Sequence, residues 1–128
     1  MDIPTLHNIL LHTFSTNEAD RNAAENALQT LHEQRRSLSL LVELAQNEKD
    51  IQREIRQAAA VSLKNVVQKY WPNAVEADGS EHVFLPEEDK QVYKSYILEG
   101  YMGIQDNSIR ALLVETIHII ARADFPVS

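Results

Sequence analysis

The sequence repeats one spacing three times: an arginine is followed by apolar residues at intervals of three, four and three positions. The copies are Arg21, Ala24, Leu28 and Leu31; Arg56, Ala59, Leu63 and Val66; and Arg110, Leu113, Ile117 and Ile120. These intervals place the four residues of each copy on one face of a helix. Because each copy stands on the second helix of a candidate pair, the pattern predicts an α-solenoid of the HEAT or armadillo kind. An ordinary globular helical bundle is the alternative.

Apolar residues recur at three- and four-residue intervals along almost the whole chain, which predicts an all-α fold of six helices. Pro4 suits the first turn of helix one, and Ser15 with Glu18 is predicted to form a capping box at helix two. The predicted helices cover about residues 4–14, 18–33, 37–46, 50–71, 86–103 and 107–123.

The predicted helices form three antiparallel pairs, at about 1–34, 35–72 and 86–124, in a right-handed stack. Pro72 ends helix four, because proline cannot continue a helix. Residues 73–85 are predicted to be a solvated loop, with turn residues in "ADGS".

Composition limits the class of protein and its partners. With 44% hydrophobic and 24% charged residues the chain is expected to fold, and its net charge of −7 argues against direct nucleic-acid binding. It has no cysteine, which excludes disulfides and thiolate zinc sites. Neither a membrane-spanning apolar run nor a secretory signal is present, so a cytosolic or nuclear protein without membrane insertion is the simplest interpretation.

No motif in the sequence predicts catalysis or a cofactor. The three glycines are scattered and no Gly-Lys-Ser/Thr occurs, so a phosphate-binding loop is not expected. His7 and His12 are five positions apart, on different sides of a helix, and no His-Glu-x-x-His is present. We therefore expect a protein that is not an enzyme and that binds neither metal nor cofactor.

The repeated arginines lie on the apolar side of their helices. Arg56 falls beside Ala59 and Leu63, so its stem can lie along apolar surface while the guanidinium reaches a polar group. The equivalent placement of Arg21 and Arg110 predicts that all three arginines bridge successive helix pairs.

The opposite face of helix four carries small and amide side chains, which would allow a partner to approach closely and form hydrogen bonds. We call this face, with its register equivalents on helices two and six, the polar strip. Its residues are Asn26, Gln29, Gln57, Val61, Lys64, Asn65, Gln68, Glu115 and Arg122. Periodicity alone favours the simpler interpretation, that the strip is only the solvated face of surface helices.

The segment "REIRQAAAVSLKNVVQKYW" resembles the amino-terminal signature of importin-β-type nuclear transport receptors. In that signature an Arg-x-x-Ala pattern leads into Leu-Lys-Asn and then an aromatic residue, here Arg56, Ala59, Leu63, Lys64, Asn65 and Trp71. The ending "IIARADFP" and the connection "YWPNAVEADGS" with "FLPEEDKQVYKSYILEGYMG" are also similar to the family, most of all to importins seven and eight.

The resemblance implies that residues 1–128 are the first part of a longer solenoid. The tryptophan expected after Pro126 is absent and the chain stops at "VS", which suggests a truncated piece. By resemblance, inner helices of the first repeats bind the GTP-bound small GTPase Ran, here through the polar strip. Later repeats would bind cargo and nucleoporins, and the receptor would shuttle between cytoplasm and nucleus. A HEAT-repeat scaffold or adaptor without a transport role is the alternative.

Overall fold

The computed structural model describes residues 1–125, and in them the chain forms six α-helices, one 3-10 turn and a short β-ladder. The helices are α1 (Ile3–His12), α2 (Glu18–Gln29), α3 (Ser37–Gln46), α4 (Arg53–Tyr70), α5 (Glu87–Gly103) and α6 (Asn107–Asp124). The 3-10 turn is Leu31–Glu33, and the strands are β1 (Ala74–Val75) and β2 (Glu81–His82).

The helices stack in two layers. Each odd-numbered helix packs on the even-numbered helix that follows it, as α1 on α2, α3 on α4 and α5 on α6. Between successive pairs, α1 packs on α3, α3 on α5, and α4 on α6. This arrangement confirms the predicted all-α, HEAT-like solenoid, with α2, α4 and α6 on one side.

The core is centred on the middle pair. Leu63 of α4 is fully buried, whereas its register equivalents Leu28 and Ile117 are only partly covered. Most of α3 is buried as well, including two serines. The middle pair has a neighbour on each side, so its helices bury more surface than those of the outer pairs.

The predicted capping box at helix two is wrong. Asn17 is the N-cap, and its Oδ1 accepts a hydrogen bond from the Asp20 backbone N–H at 3.1 Å. Ser15 Oγ instead accepts from the backbone N–H of Asn17 at 3.1 Å. The helix also ends earlier than residue 33, because Thr30 leaves helical geometry (φ −106°, ψ 8°) and a 3-10 turn follows.

The starts of α1 and α4 differ from the prediction by one and three residues. Helix α1 begins at Ile3 because Asp2 caps it, accepting from the Thr5 N–H at 2.9 Å. Helix α4 begins at Arg53, three residues later than predicted, because Gln52 has extended geometry (φ −59°, ψ 146°).

The connection after α4 is more ordered than the predicted loop over residues 73–85. Strands β1 and β2 pair antiparallel, with Ala74 opposite His82 and Val75 opposite Glu81. The turn between them includes Gly79 at φ +89°, a backbone conformation that favours glycine. This hairpin lies in the connection, so it does not interrupt the helical layers.

Gly100 allows α5 to approach α3 closely, which leads to a stability prediction. A Cβ at Gly100 would lie 2.5 Å from Cγ1 of the buried Val42. We expect Gly100→Ala to lower the free energy of unfolding by about 1–3 kcal/mol because of overpacking, although alanine favours helix by roughly 1 kcal/mol. Chemical denaturation measures the change.

Gly103 provides the matched control, since a Cβ there would meet nothing within 4 Å. We expect Gly103→Ala to leave the stability unchanged or slightly higher. Val42→Ala should reduce the cost of Gly100→Ala in the double variant, because it removes the clashing methyl groups. Equal effects of the two glycine substitutions would contradict the close contact between α5 and α3.

Candidate partner-binding surface

The two faces of α4 are divided as the sequence predicts. Ala59 and Leu63 are fully buried, while Asn65 and Gln68 are exposed and Val61 is 36% exposed. Gln57 and Lys64 of the polar strip are half-buried. The α4 part of the strip therefore lies outside the core and is at least partly accessible to solvent.

Part of the polar strip is joined to its neighbours by polar contacts. Lys64 Nζ lies 3.8 Å from Glu115 Oε1, an ion pair that links α4 to α6. Gln57 Oε1 accepts a hydrogen bond from Arg53 Nη1 at 2.9 Å, within α4. Both contacts are at the surface, so they constrain the Lys64 and Gln57 side chains only weakly.

Another part of the strip lines a groove between α2 and α4. Gln57, Val61 and Asn65 border a cavity of about 450 Å³ that also contacts α1. Asn65 also borders a second cavity, of about 210 Å³, together with Gln29. We call these two adjoining cavities the α2/α4 groove. Four of the nine strip residues thus share one concave surface.

The remaining strip residues stay apart. Asn26, Gln68 and Arg122 are exposed, and none of the three lines the α2/α4 groove. Within residues 1–125 their side chains form no hydrogen bond or ion pair. They lie on the same helices as the rest of the strip but outside the groove.

The repeated arginines do not bridge successive pairs, which corrects the prediction. Arg56 is buried, and its Nε donates to the carbonyl of Ile51 at 3.1 Å, just before its own helix. Arg21 likewise donates to the Ser15 carbonyl at 3.3 Å. An arginine in the first turns of a helix reaches back to the preceding loop, so these contacts remain inside one pair.

Arg110 also contacts its own pair. Its Nη2 donates to the Tyr101 hydroxyl at 3.3 Å, and the guanidinium carbon lies 4.7 Å from the centroid of that ring. Tyr101 belongs to α5, the first helix of the same pair. The side chain is exposed rather than buried, so the third copy of the motif differs from the second.

One link between the second and third pairs is an ion pair that the sequence patterns did not reveal. Arg53 Nε lies 2.6 Å from Asp106 Oδ2. Asp106 is also the N-cap of α6, accepting from the backbone N–H groups of Ser108 and Ile109. The hydrogen bond from Arg53, followed by that from Ile109, lowers the pKa of Asp106. An aspartate directly before a predicted helix is a signal for the N-cap at Asp106. No such signal exists for its ion-pair partner Arg53, which is distant in sequence.

The contact between α3 and α5 is polar at its rim. The Tyr96 hydroxyl donates to Glu43 Oε1 at 2.9 Å, and this hydrogen bond to a carboxylate raises the pKa of Tyr96. This hydrogen bond is a further contact between the second and third pairs.

The described residues show neither a metal-type cluster nor a membrane-spanning helix. In residues 1–125 no three histidine, aspartate or glutamate side chains cluster in a way that could hold a metal ion. None of the helices in that range combines the length and apolar character that crossing a membrane requires. What the polar strip and its groove provide is amide hydrogen bonding, charged side chains and apolar contact area.

Comparison with known proteins identifies the family. Residues 24–102 match the family model described as the importin-β N-terminal domain. The chain is 39% identical to Importin-8 from Mus musculus over 75 residues, covering 56% of this chain and 7% of the relative. It is 37% identical to Importin-8 from Homo sapiens over 75 residues, with the same coverage of 56% and 7%.

A third relative extends the similarity to nearly the whole chain. Exportin-2 from Dictyostelium discoideum is 25% identical over 124 residues, which cover 97% of this chain and 13% of the relative. The chain thus spans only a small part of the length of these relatives. The Importin-8 matches confirm the resemblance to the branch of importins seven and eight. Because the family model covers more than half of the sequence, from within α2 to the end of α5, the chain belongs to the importin-β N-terminal domain family.

Proposed function

We propose that this chain is the N-terminal part of a nuclear transport receptor and that its polar strip binds the small GTPase Ran in the GTP state. The observation that supports the proposal is the position of the family signature. Asn65 and Lys64 belong to that signature, yet Asn65 is exposed, Lys64 is only half-buried, and neither is part of the hydrophobic core. Residues that a packed core does not need are available for a partner.

The proposal includes the wider organisation of the receptor. Residues 1–128 form the first three helix pairs of a longer solenoid, at about 1–34, 35–72 and 86–124. Cargo proteins and nucleoporins bind mainly to later repeats, and the receptor shuttles between cytoplasm and nucleus. Hydrolysis of GTP belongs to the partner, so no catalytic role is assigned to this chain.

Binding of Ran to the full-length receptor tests the proposal. We expect a combined variant with Lys64→Glu, Val61→Trp and Asn65→Trp to bind GTP-loaded Ran at least about tenfold more weakly, because it reverses a charge and blocks close approach. The dissociation constant is measured with both GTP-loaded and GDP-loaded Ran. Lys49→Glu, at an exposed position between α3 and α4, is the matched charge control.

Each outcome has a distinct meaning. Nucleotide-dependent binding that persists in a folded triple variant would place the Ran contact elsewhere on the receptor. Binding of partner proteins that does not depend on whether GTP or GDP is present would favour the alternative, a HEAT-repeat scaffold. Thermal unfolding of each variant shows that weaker binding does not come from loss of structure.

A further inference from the structure

The two junctions in the even-numbered layer are packed differently. Helix α4 packs closely along α6, whereas α2 packs on α1 and the 3-10 turn and makes few contacts with α4. The composition of α2 accounts for this difference, because Ala24 is its one buried residue and Leu28 its one large aliphatic residue. A helix with so little apolar surface cannot close against α4, and the α2/α4 groove results.

The groove has an apolar floor. Leu10 of α1 is fully buried beneath it, and Leu28 and Ala58 form partly buried walls. Phe14 stands at its rim with 58% of its surface exposed, and Val61 is 36% exposed. Apolar side chains at the edge of a concave surface lose water when a complementary side chain enters.

The two cavities of the groove are spaced like side chains on one face of a helix. Along α4 the lining of the 450 Å³ cavity runs from Glu54 to Asn65 and that of the 210 Å³ cavity from Ser62 to Tyr70, so the midpoints of the two ranges are about six to seven residues apart. Seven residues of helix correspond to roughly 10 Å. Two apolar side chains at positions i and i+7 of a second helix would have the same spacing.

Charge differs between the two ends of the groove. Glu25 and Glu54 line the larger cavity, and Lys69 lines the smaller one. Helices α2 and α4 both run from the acidic end towards the Lys69 end, as the linings show. A helix normally carries acidic residues in its first turn and basic residues in its last turn, which suits its own dipole. Such a helix matches the groove when it lies antiparallel to α4.

We propose that the α2/α4 groove receives an amphipathic helix of a partner protein, antiparallel to α4. Its apolar residues at i and i+7 occupy the two cavities, its basic last turn faces Glu25 and Glu54, and its acidic first turn faces Lys69. This goes beyond the proposed function, because a helix in the groove requires neither a GTPase nor a bound nucleotide. Val61 and Asn65 serve both surfaces, but Glu25 and Glu54 lie outside the polar strip.

Two synthetic helical peptides of identical composition test the orientation. One carries glutamates in the first turn and arginines in the last, with leucines at i, i+3 and i+7, and the other exchanges the two charged turns. Fluorescence anisotropy with the 128-residue chain should show at least about tenfold tighter binding of the first peptide. Equal binding of the two, or no saturable binding of either, would overturn the proposal.

Charge substitutions at the acidic end provide the second measurement. The double variant Glu25→Lys and Glu54→Lys should lose or invert the preference between the peptides. Glu88→Lys with Glu99→Lys, at exposed positions on α5, is the matched control and should keep it. An unchanged preference in the Glu25 and Glu54 variant would overturn the orientation that we propose.

Filling the groove provides the third measurement. Val61→Trp should weaken binding of the first peptide at least about tenfold, while Val92→Trp on α5, where valine is 57% exposed, should have no effect. Ser62→Phe is a second filling variant, since Ser62 lines both cavities. Folded filling variants that bind the peptide normally would contradict the proposal. The same Glu25 and Glu54 substitutions are also made in the full-length receptor, where Ran binding should persist. That result separates this inference from the proposed function.

Discussion

Replacing Leu63 by alanine should lower the free energy of unfolding by about 2–5 kcal/mol, the range for truncating a buried leucine. Leu63 has no exposed surface and lies in the middle pair, which is covered by a neighbour on each side. Since small domains are stable by only about 5–15 kcal/mol, this single change should remove a large share of the stability. Urea denaturation followed by circular dichroism measures the loss.

Asn65 provides the control on the same helix. Its side chain is exposed in the α2/α4 groove and forms no side-chain hydrogen bond within residues 1–125. Asn65→Ala should therefore change the stability by no more than roughly 0.5 kcal/mol. Similar losses for the two variants would mean that the division of α4 into a buried and a solvated face is incorrect.

The buried face of α4 could be predicted because helical periodicity is a local property. Ala59, Leu63 and Val66 recur at intervals that follow from 3.6 residues per turn, and all three are buried. The family signature lies on the same helix, which explains why the resemblance and the periodicity led to the same faces. Local patterns were sufficient for these features.

Contacts between distant segments could not be predicted in the same way. Arg53 and Asp106 are 53 positions apart, and nothing near either residue indicates the other. The α2/α4 groove depends on how far α2 stands from α4, which is set by packing on α1. The small number of large apolar residues in α2 was a partial indication of the groove. Helical periodicity, however, indicates only which face of α2 is apolar, not how far the helix lies from α4.

The ordered connection after α4 depends on long-range contacts as well. Tyr70 stacks on His32 with ring centroids 3.5 Å apart, and Phe84 meets Tyr70 edge-on at 5.1 Å. These aromatic residues come from the 3-10 turn, the end of α4 and the segment after β2. The turn residues in the sequence predicted a loop. The aromatic contacts that hold the hairpin in place join segments that only the folded chain brings together, so the sequence patterns did not predict them.

Trp71→Ala should have an effect as large as that of Leu63→Ala, lowering the free energy of unfolding by about 3–5 kcal/mol. Trp71 is fully buried at the end of α4, and its Nε1 donates to Asp124 Oδ1 of α6 at 2.9 Å. Lys90 Nζ lies 5.4 Å from the centroid of the indole ring. Truncation would leave a cavity and also remove a hydrogen bond between the second and third pairs.

Trp71→Phe separates the packing from the hydrogen bond through the titration of Asp124. Burial of this carboxyl raises its pKa, but the hydrogen bonds from Lys94 and Trp71 outweigh burial, and the net pKa is lowered. A lowered pKa in the folded state stabilises the fold above the unfolded pKa of about 3.9, and this stabilisation is lost as the pH falls through the folded value.

Phenylalanine retains a buried ring but donates no hydrogen bond, so the pKa of Asp124 should rise towards its ordinary value in Trp71→Phe, as NMR titration of the carboxyl carbon can show. The stability difference between the wild-type protein and Trp71→Phe should shrink as the pH falls below about 4, because the unfolded carboxyl then becomes protonated. In an Asp124→Asn background this pH dependence should disappear, although the cost of the smaller ring remains. An unchanged Asp124 titration in Trp71→Phe would mean that Lys94, which lies 2.5 Å from Asp124 Oδ2, holds the carboxylate without the indole.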